Sequence, residues 1–283
     1  MRKLVKLLLA AAAIGFGFLA YVYLTLPNVA ELGATNPPTT AFMELRADEA
    51  RARNVPPRRV QRWVPYSRIS SSLKRAVLVA EDGTFWEHDG IDVTQIKESI
   101  ERDLQKRTFG RGGSTITQQL AKNLYLSPSK NPVRKLRELL IARRMEASLT
   151  KTRIFEIYLN VIEWGDGIYG ADAAARAYFR KPASALNADE SALLAACIIN
   201  PRIMNPAHET PGLLRRQRLI LGRMGVVTPP PDVAMPTDEP AKAGRAEWLT
   251  LTLPRNGRYS RRSPVSPHTT NPDLTGWSRL ARA

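Results

Sequence analysis

Cysteine is nearly absent from this 283-residue chain: Cys197 stands alone, so no disulfide can close within it. Its setting, Leu193-Leu194-Ala195-Ala196-Cys197-Ile198, reads as buried core, where a thiol behaves as a small apolar group. Histidine is almost as scarce. His88, His208 and His268 are the three, and none stands in HExxH or CxxC-type company, so a zinc site is not expected. Acid is also in short supply, with 26 Asp and Glu against 42 Lys and Arg and a formal charge of +16. Such an excess suits anionic partners: nucleic acid, anionic lipid headgroups, or a substrate carrying pyrophosphate. Internal repeats and an alternating strand–helix pattern are missing too, which removes repeat arrays and doubly wound α/β folds.

Charge vanishes altogether from Leu7 to Leu26. About 20 apolar residues suffice for a helix to cross ~30 Å of hydrocarbon. Arg2, Lys3 and Lys6 precede the run, which by the positive-inside tendency leaves the short N-terminus in the cytoplasm and the rest of the chain outside. The run is longer than the core of a cleaved signal, and no small-x-small site with a polar start follows, so it reads as an uncleaved single-pass anchor. A domain beyond that anchor is kept away from nucleic acid, leaving lipid or pyrophosphate as the anionic partner.

The chain then divides into residues 1–26 as stub and anchor, 27–44 as a linker, 45–225 as one domain, and 226–283 as a proline-rich tail expected to be disordered. The domain reads as mostly α. Leu73, Ala76, Val77 and Ala80 form one stripe of a helix ending near Gly83, with Ser70 to Ser72 available as caps. Asp92 caps a second helix carrying Val93, Ile96, Ile100 and Leu104. Residues 106–113 break all periodicity and read as a mobile basic loop, with Phe109 as a point of lipid contact. Ser114 opens a helix reaching Leu124, and Asn131-Pro132 opens one reaching about Leu149. Further helices are expected over 152–163, 171–179 and 188–199, the last with an Asn187/Glu190 capping box, and over a final segment from Thr210-Pro211 to Gly225. No strong strand signal is present.

Three places could carry chemistry. Glu81 and Asp82 sit together near a helix C-terminus, where acids oppose the macrodipole; they are either water-facing or held there for a purpose. On the helix from Ser114, a step of about 100° per residue puts Ser114, Gln118 and Lys122 within about 80° of one another, opposite Ile116, Leu120 and Leu124. That polar face is either solvated or turned to a ligand, and Ser114 behind two glycines at a helix start suits an anion. Arg134, Lys135 and Glu138 read first as an ordinary helical ion-pair set and, more sharply, as a group facing a phosphate. His88 is expected to hold its loop by hydrogen bonding.

Five segments in order, EDGTFWEHDGID (81–92), GGSTITQQLAKNLYL (112–126), RKLRE (134–138), KTRIFEIYLN (151–160) and GDGIYGADAAARAYF (165–179), resemble the family 51 glycosyltransferases, which polymerise peptidoglycan glycan strands. The resemblance runs from about Val60 to Gly225, and the stretch Trp164 to Leu194 looks most like the monofunctional biosynthetic transglycosylases. It implies a lysozyme-like α fold with a smaller membrane-facing jaw. It also implies an enzyme of the bacterial inner membrane, working on the periplasmic side on lipid II and the growing strand, alongside other cell-wall synthesis proteins.

By the same resemblance Glu81 is the general base and Glu138 the second glutamate, which organises the pyrophosphate site. No cofactor is required, though a divalent cation, Mg or Mn, is admitted near the pyrophosphate. Lys122, Arg134, Lys135 and Lys130 match pyrophosphate-binding positions; Lys130 stands where relatives often carry arginine and lacks its two-pronged fork. Ser114, Thr115, Gln118 and Gln119 match the substrate-lining motif, and Asp82, Phe85, His88 and Gly90 match positions shaping the loop around the base. Two other readings remain at this point: a lytic enzyme on a similar scaffold, and an inactive anchored scaffold.

Overall fold

In a computed structural model of the protein, residues 2–97, 101, 113–129 and 131–225 are described. Lys130, Phe109 with the rest of the basic loop up to residue 112, and the 226–283 tail lie outside the described residues.

Helix α1 (Arg2–Leu24) is apolar and almost wholly exposed, with a mean hydropathy of 2.2 over its best window. An unburied apolar helix of that length suits a bilayer and not a protein core, which matches the expected anchor. Residues 27–44, expected as a linker, hold a 3-10 turn at Ala30–Gly33, and Val29, Leu32 and Met43 along them are buried. Helix α2 (Ala41–Ala52) starts within that stretch, capped by Thr40.

The domain is built around α6 (Lys151–Val161), whose residues from Thr152 to Val161 are all buried. A helix enclosed on every side has to satisfy its own polar groups internally. Arg153 donates to the carbonyls of Leu32 and Thr35 and pairs with Glu156. Glu156 accepts from the Tyr66 N–H at 2.9 Å, and Asn160 bonds both the N–H and the C=O of Val64 at 2.9 Å. These side chains thus do for the segments around residues 32–36 and 64–66 what backbone pairing would do elsewhere.

Against α6 pack α4 (Ile116–Tyr125), α5 (Pro132–Ser148) and α7 (Ala171–Phe179), while α3 (Ser71–Glu81), α8 (Ala188–Cys197) and α9 (Pro211–Arg223) pack on one another. Local chemistry sets most of their starts. Ser70, Asn131 and Thr210 accept from backbone N–H groups of the first turns, and Asn187 with Glu190 forms the complete capping box. Asp92 does the same for the helical residues 93–97, accepting from Gln95 N at 2.8 Å. α4 departs from expectation: it begins at Ile116, and its cap is the Thr115 hydroxyl, with Ser114 one residue outside. Cys197 is fully buried, and burial pushes its thiol up to about 12.

Short strands are present although the sequence carries no strong strand signal. Among the described residues β1 (Val60–Gln61), β2 (Glu163–Gly165) and β3 (Ile168–Tyr169) form a sheet of order β1-β3-β2, with β1–β3 parallel and β2–β3 antiparallel. Two or three residues per strand leave no room for an alternating pattern to register. Tight backbone approach shapes this sheet. Gly170 has φ +85°, and a Cβ there would lie 2.8 Å from the Asn160 carbonyl oxygen, so only glycine fits.

Candidate active site

α3 ends on Glu81, and the chain turns at Asp82 into the loop 83–92. Asp82 is the fastening point of that turn. It is buried, its carboxylate contacts His88 Nε2 at 3.0 Å, and it accepts from the Ile116 N–H at 2.9 Å. It therefore ties the end of α3 to the start of α4, where an anion is favoured by the free N–H groups and the macrodipole. His88 Nδ1 in turn accepts from the Gly90 N–H at 3.2 Å, the loop-holding role expected of it. Phe85 is fully buried against Phe155 and Trp86. Gly90 has φ +79°, and a Cβ there would come within 2.9 Å of Glu146 Cγ. The loop is thereby held between α4 and α5 with no room for a side chain at position 90.

Glu81 points into a cleft of about 550 Å³ that it shares with Asp82, Ser114, Gln119, Lys122 and Arg216. Gln119 Nε2 donates to Glu81 Oε2 at 3.0 Å, and Gln119 Oε1 accepts from the Tyr158 hydroxyl at 2.9 Å, which fixes which end of the amide faces the carboxylate. Arg216, from α9, reaches Glu81 Oε1 at 3.3 Å. Burial raises the Glu81 carboxyl above the ordinary range, and Asp82 adds to this; the bonds from Gln119 and Arg216 pull it down without cancelling the rise. A carboxylate that holds its proton more tightly is a stronger base, and this one is aimed at open space.

The polar face expected on α4 is partly inverted. Gln118 is 1% exposed and turned away from the cleft, donating to the Gly90 carbonyl at 3.2 Å and accepting from Lys135 Nζ at 3.1 Å. Thr115 likewise points inward to the Gly90 carbonyl at 2.7 Å. The residues of α4 that line the cleft are Gln119 and Lys122. The helix is enclosed on two sides, by the core at Ile116, Leu120 and Ala121 and by the 81–92 loop at Gln118, so angle alone misassigns its open face.

Glu138 is buried on α5 and paired with both Arg134 and Lys135. This is more than a solvated helical set, because Lys135 also donates to Ser114 Oγ at 3.2 Å. Ser114 lines the cleft, so the α5 cluster adjoins it through one hydroxyl. Lys122, in the cleft wall, has its pKa lowered first by burial and further by Arg134 and Lys135, with Glu138 opposing. Both Glu138 oxygens are engaged by cations, and Asp82 is committed to His88 and to α4, so neither is a free oxygen donor for Mg or Mn. Among the described residues no group of three or more His, Cys, Asp and Glu is placed to hold a metal ion. Among the described residues the divalent cation that the resemblance admits therefore finds no fitting donor set.

A second lobe of about 250 Å³ continues the cleft past Gln119 and Lys122, lined by Arg46, Asn123, Tyr158 and Glu163 among others. Asn123 Oδ1 is buried without a protein hydrogen-bond partner. Sequence reasoning missed Arg216 and Tyr158, the two groups that hold Glu81 and its partner Gln119. Arg216 carries a prediction: Arg216→Gln moves the acid limb of a kcat/KM–pH profile to higher pH, because a group holding the carboxyl down is gone, and Arg216→Lys restores part of the shift. An unmoved limb would show that Arg216 does not tune Glu81.

The transglycosylase family profile matches residues 48–225. Among similar proteins, the biosynthetic peptidoglycan transglycosylase of Aromatoleum aromaticum is 50% identical over 195 residues, covering 69% of this chain and 84% of the relative. That of Nitrosospira multiformis is 46% identical over 195 residues, covering 69% and 85%. That of Chromobacterium violaceum is 44% identical over 229 residues, covering 81% and 99%. With its mostly α, lysozyme-like domain behind one apolar N-terminal helix, this chain belongs to the transglycosylase family.

Proposed function

We propose that this protein is a peptidoglycan glycosyltransferase that polymerises lipid II into β-1,4-linked glycan strands, with α1 as its membrane anchor and the domain on the periplasmic side. The observation that carries the reading is the meeting of Glu81 with Lys122 in one cleft, adjoined through Ser114 by the Arg134–Lys135–Glu138 cluster.

Glu81 takes the proton from the 4-hydroxyl of the acceptor's N-acetylglucosamine as that oxygen attacks C1 of the growing strand's terminal sugar. The C1–O bond to pyrophosphate breaks on the opposite face, so an α-linked donor becomes a β link. Negative charge moves to the departing undecaprenyl pyrophosphate, and Lys122, Lys135 and Arg134 are the cations beside which that charge can develop. Glu138 keeps Arg134 and Lys135 in place, as a positioning residue. Lys130 belongs to the same proposed set by the family resemblance alone.

Gel analysis of products from labelled lipid II, with and without moenomycin, tests this reading. Inhibitor-sensitive polymer is expected. Shortening of finished glycan without polymer would replace the reading with a lytic one, and inertness toward both substrates would leave only a scaffold.

A further inference from the structure

The outer end of the anchor is held by the helix that carries the cation cluster. Arg137, on α5, donates to the Thr25 carbonyl at 2.8 Å and to its hydroxyl at 3.2 Å. Arg144, two turns further along α5, donates to the carbonyls of Tyr23 at 3.3 Å and Leu26 at 3.4 Å, and its guanidinium lies 4.6 Å from the centre of the Tyr23 ring. Tyr23 lies in the last turn of α1, at the negative end of its macrodipole, and its carbonyl also accepts from the Leu26 N–H at 3.3 Å; Thr25 and Leu26 follow the helix. Near the hydrocarbon edge an unpaired carbonyl is costly, so a charged fork with several donors is well matched to that spot.

At 3.6 residues per turn, Arg137 and Arg144 lie about 20° apart on α5, and the Arg134–Lys135–Glu138 group lies about 120° round from them. One helix thus grips the anchor with one flank and presents the cluster beside the cleft with another. The chain leaving the anchor has little slack, since Val29 and Leu32 are buried and Arg153 binds the carbonyls of Leu32 and Thr35.

We propose that Arg137 and Arg144 are positioning residues that clasp the anchor's outer end and so hold the α5 cation cluster at headgroup height, where a pyrophosphate with its lipid tail still in the bilayer can reach it. This rests on the transferase reading above. The clasp matters only when a bilayer fixes the substrate's height; in a detergent micelle, substrate and enzyme can adjust to each other.

The test compares full-length wild type, Arg137→Gln/Arg144→Gln and Arg137→Lys/Arg144→Lys, in lipid vesicles with long-chain lipid II and in micelles with a short-chain analogue. Wild type polymerises in both settings; if it fails in both, the functional reading falls and not the clasp. The Gln pair is expected to lose at least tenfold in vesicles and less than twofold in micelles. The Lys pair is expected to behave like the Gln pair, since an ammonium keeps the charge but lacks the rigid planar fork that holds the two separated oxygens each arginine meets. Equal losses in both settings, or no loss in vesicles, would overturn the proposal. So would full recovery by lysine, which would point to simple attraction between cations and lipid phosphates.

Discussion

Glu81→Gln is expected to lower kcat on lipid II by about 10²–10⁴-fold, the usual worth of a positioned base, while the folded protein becomes no less stable at neutral pH. The second half of the expectation separates this site from an ordinary surface acid. Burial outweighs the help from Gln119 and Arg216, so the folded-state pKa of Glu81 lies above its unfolded value. A carboxyl raised in this way favours the folded state fully below the unfolded value, about 4.3, and that contribution is lost as pH rises through the folded value. At neutral pH wild type therefore holds a charge that folding disfavours, and glutamine does not. Melting temperatures of the two proteins should converge in acid and differ at neutral pH, with the variant higher. Wild-type polymerisation by Glu81→Gln would remove position 81 from the chemistry. A variant destabilised at neutral pH would show that the charge is held by more than Gln119 and Arg216.

Much of this architecture was legible because it is local. Ser70, Asp92, Asn131, Thr210 and the Asn187–Glu190 box each bond N–H groups within three residues, and such interactions are written into adjacent positions. The apolar N-terminal helix is equally plain, since a charge-free run needs no partner to be recognised. What escaped depends on distance along the chain. Arg216 meets Glu81 across 135 positions and lies between Arg215 and Arg218, which carry the same charge, so nothing local marks it out. By helical angle alone Gln118 belongs to the open polar face. It is closed because a loop ending 26 positions earlier folds over it, a fact of packing and not of periodicity. Glu138 escaped in part for a related reason: an i,i+4 pair looks alike whether it faces water or another helix, and the bonds from Lys135 to Ser114 and Gln118 show which.

Lys122→Met should cost about 10²–10³ in kcat, the scale seen when one group stabilising developing negative charge is removed. Methionine keeps an unbranched apolar stem of similar reach, so the packing beside Phe42, whose ring centre is 5.5 Å from Lys122 Nζ, is largely conserved while the charge is lost. The pH profile makes the assignment specific. Burial and the neighbouring Arg134 and Lys135 lower the Lys122 pKa, with Glu138 only partly opposing them, so the alkaline limb of kcat/KM should fall below the ordinary lysine value of about 10.4. On the acid side Glu81 is raised, so the two limbs close toward each other and the active plateau is narrower than ordinary glutamate and lysine values would give. Lys122→Arg keeps a cation that does not titrate in this range, and it should extend the plateau on its alkaline side even where its different shape lowers the maximum. An alkaline limb that stays put in both variants would mean that Lys122 is not the titrating cation. A Lys122→Met enzyme within threefold of wild type would place the departing pyrophosphate elsewhere, with the α5 cluster as its remaining cationic neighbour.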